Sequence, residues 1–141
     1  DSRLERALSS GEALRRAEAM IQAQGGDPRV VEDPSLLPRA PVETRVNVDR
    51  EGYVAAIDSR ALGLLLVAMG GGRERKEDSV DHFVGIRLLR KMGAKVAAGG
   101  TVALIEAHRD APEWAHAARR AFTIADHPPA TAQLLIEDLG R

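Results

Sequence analysis

The stretch that most constrains this chain runs from Gly52 to Lys95 and centres on one apolar run. From Ala61 to Met69 only Gly63 lacks an apolar side chain. A helix that is apolar all round belongs in an interior, so the run predicts a buried helix. Asp58 or Ser59 is placed to cap it, because a short side-chain oxygen accepts from backbone N–H groups that have no intrahelical partner. Gly63 costs about 1 kcal/mol relative to alanine inside a helix, which predicts close approach of another backbone there. Gly70-Gly71-Gly72 then stops the helix.

The elements around this centre follow from pattern. Leu4 to Ile21 reads as two helices, about 3–9 and 11–24, broken at Ser9-Ser10-Gly11. Val30 to Pro41 carries Pro34, Pro38 and Pro41 and reads as a semi-rigid connector, with a domain boundary near residue 40. Val42, Thr44, Val46 and Val48 alternate with polar residues, the period of a half-exposed strand. Arg50-Glu51-Gly52 turns the chain into a second strand, Tyr53–Ile57. Strands over 84–89 and 101–107 follow, with 95–100 between them a short strand ending in another turn. Pro112 opens a helix to about Phe122, and a last strand covers Phe122–Ala125. Leu134-Leu135-Ile136 is expected to pack back on the body. Strands in hairpin-like pairs with helices inserted predict an α+β module.

Composition narrows the function. The 141 residues carry a net charge of −1 and no cysteine. That excludes thiolate chemistry and gives no electrostatic case for nucleic acid or an anionic membrane. No apolar run reaches the ~18 residues of a membrane span, and a cytoplasmic protein is the expectation. Only 3% of residues are aromatic, so the core must rest on Leu, Val, Ile and Ala. The chain opens at Asp1 directly on a helical pattern, which suggests a piece of a longer protein.

Four groups have the residue types of a site. Gly70-Gly71-Gly72-Arg73 offers backbone N–H groups and a guanidinium to an anion. These glycines follow a helix instead of preceding one, however, so we read them as a helix stop. Asp78, Asp81 and His82 are close enough in sequence to share a metal or a proton. The alternative is that Asp78 caps a turn, and we read the group as structural. His108, His116 and His127 show no ligand spacing with them. Trp114, the only tryptophan, reads as a core anchor before it reads as a stacking platform.

Two resemblances add to this. Met92 to Ala107 resembles half of a biotinyl or lipoyl carrier domain, but no lysine lies downstream of Lys95 to be modified. The wider pattern is more specific. Ala23-Gln24-Gly25-Gly26-Asp27, Gly52-Tyr53-Val54, Gly63, Gly70 to Arg73, Asp81, Val84-Gly85, and Gly93 with Lys95-Val96 and Gly99 resemble the C-terminal part of pyrimidine-nucleoside and thymidine phosphorylases. The order and spacing match along nearly the whole chain.

That resemblance implies a hammerhead or barrel-sandwich-like C-terminal module over 41–141. It is preceded in 1–40 by terminal helices of a central α/β domain and the connector. It implies a parent transferase that splits pyrimidine nucleosides with phosphate, is a homodimer and uses no cofactor. The motifs that grip phosphate and base in the family are absent from these residues, so no catalytic, substrate-binding or metal-binding residue is assigned here. Where the family commonly has a histidine after the isoleucine of the last sandwich strand, this chain has Glu106, with His108 two places on. The same module in a nucleoside-monophosphate phosphorylase, or a stand-alone carrier-like binding module, is the alternative.

Overall fold

A computed structural model of the chain describes residues 2–130. The Leu134-Leu135-Ile136 run lies outside the described residues. The chain separates into two compact units, one ending at Arg39 and the other starting at Ala40.

The first unit holds helices α1 (Ser2–Ser9) and α2 (Glu12–Ala23). Between them Gly11 takes a left-handed conformation, with φ 69°. The proline-bearing stretch is more regular than its composition predicts, because it contains 3₁₀ turns over Pro28–Val31 and Pro34–Leu36. Each opens the same way. Asp27 accepts from the Arg29 N–H and Asp33 from the Ser35 N–H, both at 3.0 Å, with proline as the first residue of the turn. Proline fits that position because its missing N–H would have had no partner there.

The second unit is built on two three-stranded antiparallel sheets with two helices, an α+β arrangement. Strands β1 (Val42–Asn47), β5 (Thr101–Ala107) and β3 (Gly85–Leu88) form one sheet in the order β1-β5-β3. Strands β4 (Lys95–Val96), β2 (Gly52–Ile57) and β6 (Phe122–Ala125) form the other, in the order β4-β2-β6.

This departs from the hairpin-like pairing that the turn signals predict. Arg50-Glu51-Gly52 does turn the chain, yet β1 and β2 lie in different sheets, as do β3 and β4. A turn fixes where the chain reverses; which strand it then pairs with is decided by which faces can be buried together. Within 95–100 the expected short strand covers Lys95–Val96, and the expected turn follows it. Gly99 takes φ 74°, and the Gly100 N–H bonds back to the Ala97 carbonyl.

Register explains the core. Val42 lies opposite Ala107, Thr44 opposite Ile105 and Val46 opposite Ala103. With period two this drives Val46, Ala103, Ile105 and Ala107 inward, while Glu43 and Arg45 stay exposed. A register shift at Val46/Asn47 keeps Val48 buried beyond the last pair, held by the Val48 N–H to the Gly100 carbonyl at 3.0 Å. Val54, Val96, Val102 and Phe122 join the cluster, with Leu62, Met69, Ala121 and, from helix α4 (Pro112–Arg119), Ala115 and Ala118. Alanine on α4 lets the helix lie close to the sheet. Thr44 fastens its start: its hydroxyl donates to Asp110 at 2.6 Å and accepts from the Ala111 N–H at 3.2 Å.

Helix α3 (Ser59–Leu66) is capped as predicted, with the Asp58 carboxylate accepting from the Ala61 N–H at 2.9 Å. Its predicted burial all round is incorrect. Leu62 and Met69 are buried, but Ala61, Gly63 and Ala68 are exposed and Leu64 is 62% exposed. No backbone approaches Gly63 either, since nothing described comes within 4 Å of where its Cβ would be. The described residues of the second unit cover one side of α3 and leave the other open. Ile105→Ala is therefore expected to cost ~2–5 kcal/mol in urea unfolding of the chain. Leu64→Ala, despite its place in the most apolar run, should change stability by less than ~0.5 kcal/mol.

Candidate functional site

The glycine run lies where α3 gives way to a wide turn over Val67–Gly71. Gly70 has φ 97°, a conformation that side chains disfavour. Gly71 is small for a different reason: a Cβ there would come within 2.7 Å of Leu66 and 3.0 Å of Val84. The run is a helix stop packed tightly on its own neighbours.

Beyond it lies a shallow cleft of about 410 Å³ lined by Val67, Ala68, Gly70, Gly72, Glu74, Asp78 and Ser79. Two backbone N–H groups just beyond the glycine run are already engaged. The Asp78 carboxylate accepts from Arg75 N–H at 2.8 Å and from Glu74 N–H at 3.1 Å. An anion entering here meets a carboxylate that already occupies the donors, with Glu74 beside it. Arg73 is exposed.

Asp78, Asp81 and His82 do not converge. Among the described residues no group of three or more His, Cys, Asp or Glu side chains is placed to hold a metal ion. Asp81 is instead joined to His108, whose Nε2 lies 2.9 Å from its Oδ2. The other carboxylate oxygen accepts from the Phe83 N–H at 2.9 Å, and the Asp81 N–H donates to the Gly70 carbonyl at 2.8 Å. The Phe83 ring stands 5.3 Å from the His108 ring, tilted by 54°. His82 is exposed.

Sequence spacing misses this cluster because it is set by strand register. Gly85 of β3 pairs with Glu106 of β5. The antiparallel ladder thus brings the residues just before Gly85 beside those just after Glu106, and Asp81 and His108 meet there. The signal exists in the sequence only once the β3–β5 pairing is known.

Glu106, which stands where the resemblance implies a histidine, has a defined role in the sheet. It lies opposite Glu43, an arrangement of like charges that is unfavourable by itself. Arg87 on the neighbouring strand relieves it, bonding Glu106 through Nε at 3.0 Å and pairing with Glu43 through Nη2. Gly85 makes room, since a Cβ there would come within 3.1 Å of the Glu106 carboxylate.

Trp114 is half-buried against the core, and its ring is covered. The Arg109 guanidinium lies 4.6 Å from the ring centroid while bonding Glu113 at 2.6 Å. A base would have to displace that cation before it could stack. The hydrogen bond from Arg109 holds the Glu113 carboxyl below the usual glutamate range. A lowered folded-state pKa means the pair stabilises the fold above the ordinary glutamate value, and the contribution is lost as pH falls through the lowered one. In a carboxyl NMR titration Arg109→Ala should move the Glu113 midpoint upward. The loop makes a second testable claim. Phosphate titrated into the chain should leave the Glu74 and Arg75 amide resonances unmoved, whereas Asp78→Ala should destabilise by ~0.5–2 kcal/mol, as loss of a cap does.

Comparison with known proteins bears on what these elements serve. Residues 53–125 match the family described as pyrimidine nucleoside phosphorylase C-terminal domain. A thymidine phosphorylase of Sinorhizobium medicae is 42% identical over 138 residues, covering 95% of this chain and 31% of the relative. One from Burkholderia cenocepacia is 41% identical over 128 residues, 88% of the chain and 29% of the relative. A pyrimidine-nucleoside phosphorylase of Staphylococcus aureus is 35% identical over 135 residues, covering 93% and 31%. The chain thus spans about a third of the length of the curated relatives it matches.

Proposed function

The chain belongs to the pyrimidine nucleoside phosphorylase C-terminal domain family, and on that ground we propose that it is the C-terminal part of an enzyme that cleaves pyrimidine nucleosides with phosphate. One observation carries this reading: the likeness runs through 95% of this chain yet takes up only 31% of a thymidine phosphorylase. In the proposed reaction a phosphate oxygen bonds to the anomeric carbon as the bond from that carbon to the base nitrogen breaks. The bonding pair leaves with the base, which takes up a proton, and the products are the free base and a (deoxy)ribose 1-phosphate.

Such a step needs cationic and hydrogen-bonding groups around phosphate and base, in a closed site that excludes water. The groups of this kind singled out above are already partnered: the Glu74 and Arg75 N–H groups by Asp78, His108 by Asp81 and the Trp114 ring by Arg109. We assign catalysis and substrate binding to the remainder of the parent enzyme. Residues 41–141 are then a hammerhead or barrel-sandwich-like module, and 1–40 the end of a central α/β domain with its connector. The module stabilises that domain and moves with it when the site closes. A homodimeric, cytoplasmic parent that uses no cofactor and binds no nucleic acid completes the proposal. The relatives named thymidine and pyrimidine-nucleoside phosphorylases favour nucleosides over nucleoside monophosphates as substrates.

The test is phosphate-dependent release of thymine from thymidine and uracil from uridine, run on the parent enzyme and on the 141-residue chain. Release by the parent and none by the chain is expected, and the ratio of bases sets the specificity. Cleavage of thymidine monophosphate in place of thymidine would overturn the nucleoside reading. Turnover by the chain alone would overturn the assignment of catalysis elsewhere.

A further inference from the structure

The most apolar helix of the second unit is left half uncovered. Ala61, Gly63 and Ala68 are exposed, and Leu64 is 62% exposed. Beside it, Ser59, Leu62, Gly63 and Leu66 of α3 and Ile86 and Leu88 of β3 line a groove of about 240 Å³. Leu88 is 44% exposed. A surface helix ordinarily carries charged or polar residues on its open face, and between Ala61 and Met69 α3 and the turn after it carry none. Gly63 points the same way. It weakens the helix by about 1 kcal/mol relative to alanine, and apart from its chain neighbours and its own helix backbone no described atom lies within 4 Å of its would-be Cβ. The space it leaves open faces outward.

We propose that this face is a docking surface for the part of the same polypeptide that carries the phosphorolytic site, through an apolar helix or strand face laid along α3 with one side chain in the groove. The inference rests on the proposed function for the nature of that part, and on the matched relatives for its existence, since the chain spans only 31% of their length.

Size selects this occupant over a second copy of the chain. An eight-residue helix is ~12 Å long, and with the groove it offers on the order of a few hundred Å². A stable interface between free chains needs ~1,200 Å² or more in total. A covalently tethered partner has no such requirement, because its effective concentration is high from the start. A small polar ligand is disfavoured as well, because only Ser59 brings a side-chain hydroxyl to the groove.

The experiment uses the full-length parent. The 141 residues contain no cysteine, so Leu64→Cys, in a parent whose other cysteines are replaced, places a single reporter on the face. Its reaction with a thiol reagent should be at least ~10-fold slower in the native parent than in the same protein denatured, because a covered thiol reacts only on opening. The protection should survive dilution and removal of residues 131–141. Equal native and denatured rates would overturn the proposal. Protection lost on dilution would assign the face to a second copy, and protection lost with residues 131–141 would assign it to that segment; either result overturns it. If Leu64→Cys does not yield folded protein, Ala61→Cys on the same open face carries the same test. Phosphorolysis by the unmodified parent is scored separately. A protected thiol in a parent without phosphorolysis would sink the functional reading alone, and an accessible thiol in an active parent would sink the docking alone.

Discussion

The pairing of β5 with a neighbour on each edge is the constraint on which the second unit depends. β5 is the middle strand of its sheet, so its backbone donors and acceptors are used on both sides. Val102, Ala103, Ile105 and Ala107 of this strand are all buried. Val102 is the extra residue where the pairing steps from Ala103 to Thr101, so the strand bends there and its burial does not follow simple alternation. Each fully buried Val or Ile side chain contributes ~1.5–3 kcal/mol, and Ile105, Val46, Val48, Val54 and Val102 are the largest fully buried side chains. With so few aromatic residues, the unit takes its cohesion from these β-branched side chains. They pack well only if register is exact to the residue, since a slip of one would turn each to the other face.

The same register makes part of the structure legible in sequence and part of it not. Local signals read correctly. Alternation from Val42 to Val48 gives β1, Asp58 gives the cap of α3, and Pro112 gives the start of α4. Each depends on groups within a few residues of one another. What depends on pairing was hidden. Turn residues at Arg50 to Gly52 mark a reversal but do not say that β2 joins Val96 and Ile124 instead of β1. Asp81 and His108 look unrelated until Gly85 is set opposite Glu106. Apolar periodicity around Leu64 states what α3 is suited to pack against, and it cannot state whether this chain supplies the cover.

Three polar clusters of the second unit are satisfied from within it. The Asp78 carboxylate accepts from two amide donors that follow the glycine run, Asp81 ties Gly70 and Phe83 to His108, and Arg87 bridges two facing glutamates. None of these groups is free to grip a charged ligand without first giving up a partner, and a hydrogen bond to a charged group is worth ~1.5–3 kcal/mol. Such loops hold a shape. Chemistry on phosphate calls for the opposite condition: donors aimed into a site and left unpaired until substrate arrives.

The glycine run joins the polar loop to the apolar helix. Gly71 and Gly72 allow the chain to fold back on Leu66 and Val67, so the loop held by Asp78 and Asp81 is anchored on the last turn of α3. A displacement of α3 is passed to that loop through this packing, because packed side chains transmit displacement better than they absorb it. Cover laid on α3 would thus fix the loop beyond it as well. With those loop groups paired, the apolar face of α3 is the surface through which the unit would act on a neighbouring domain.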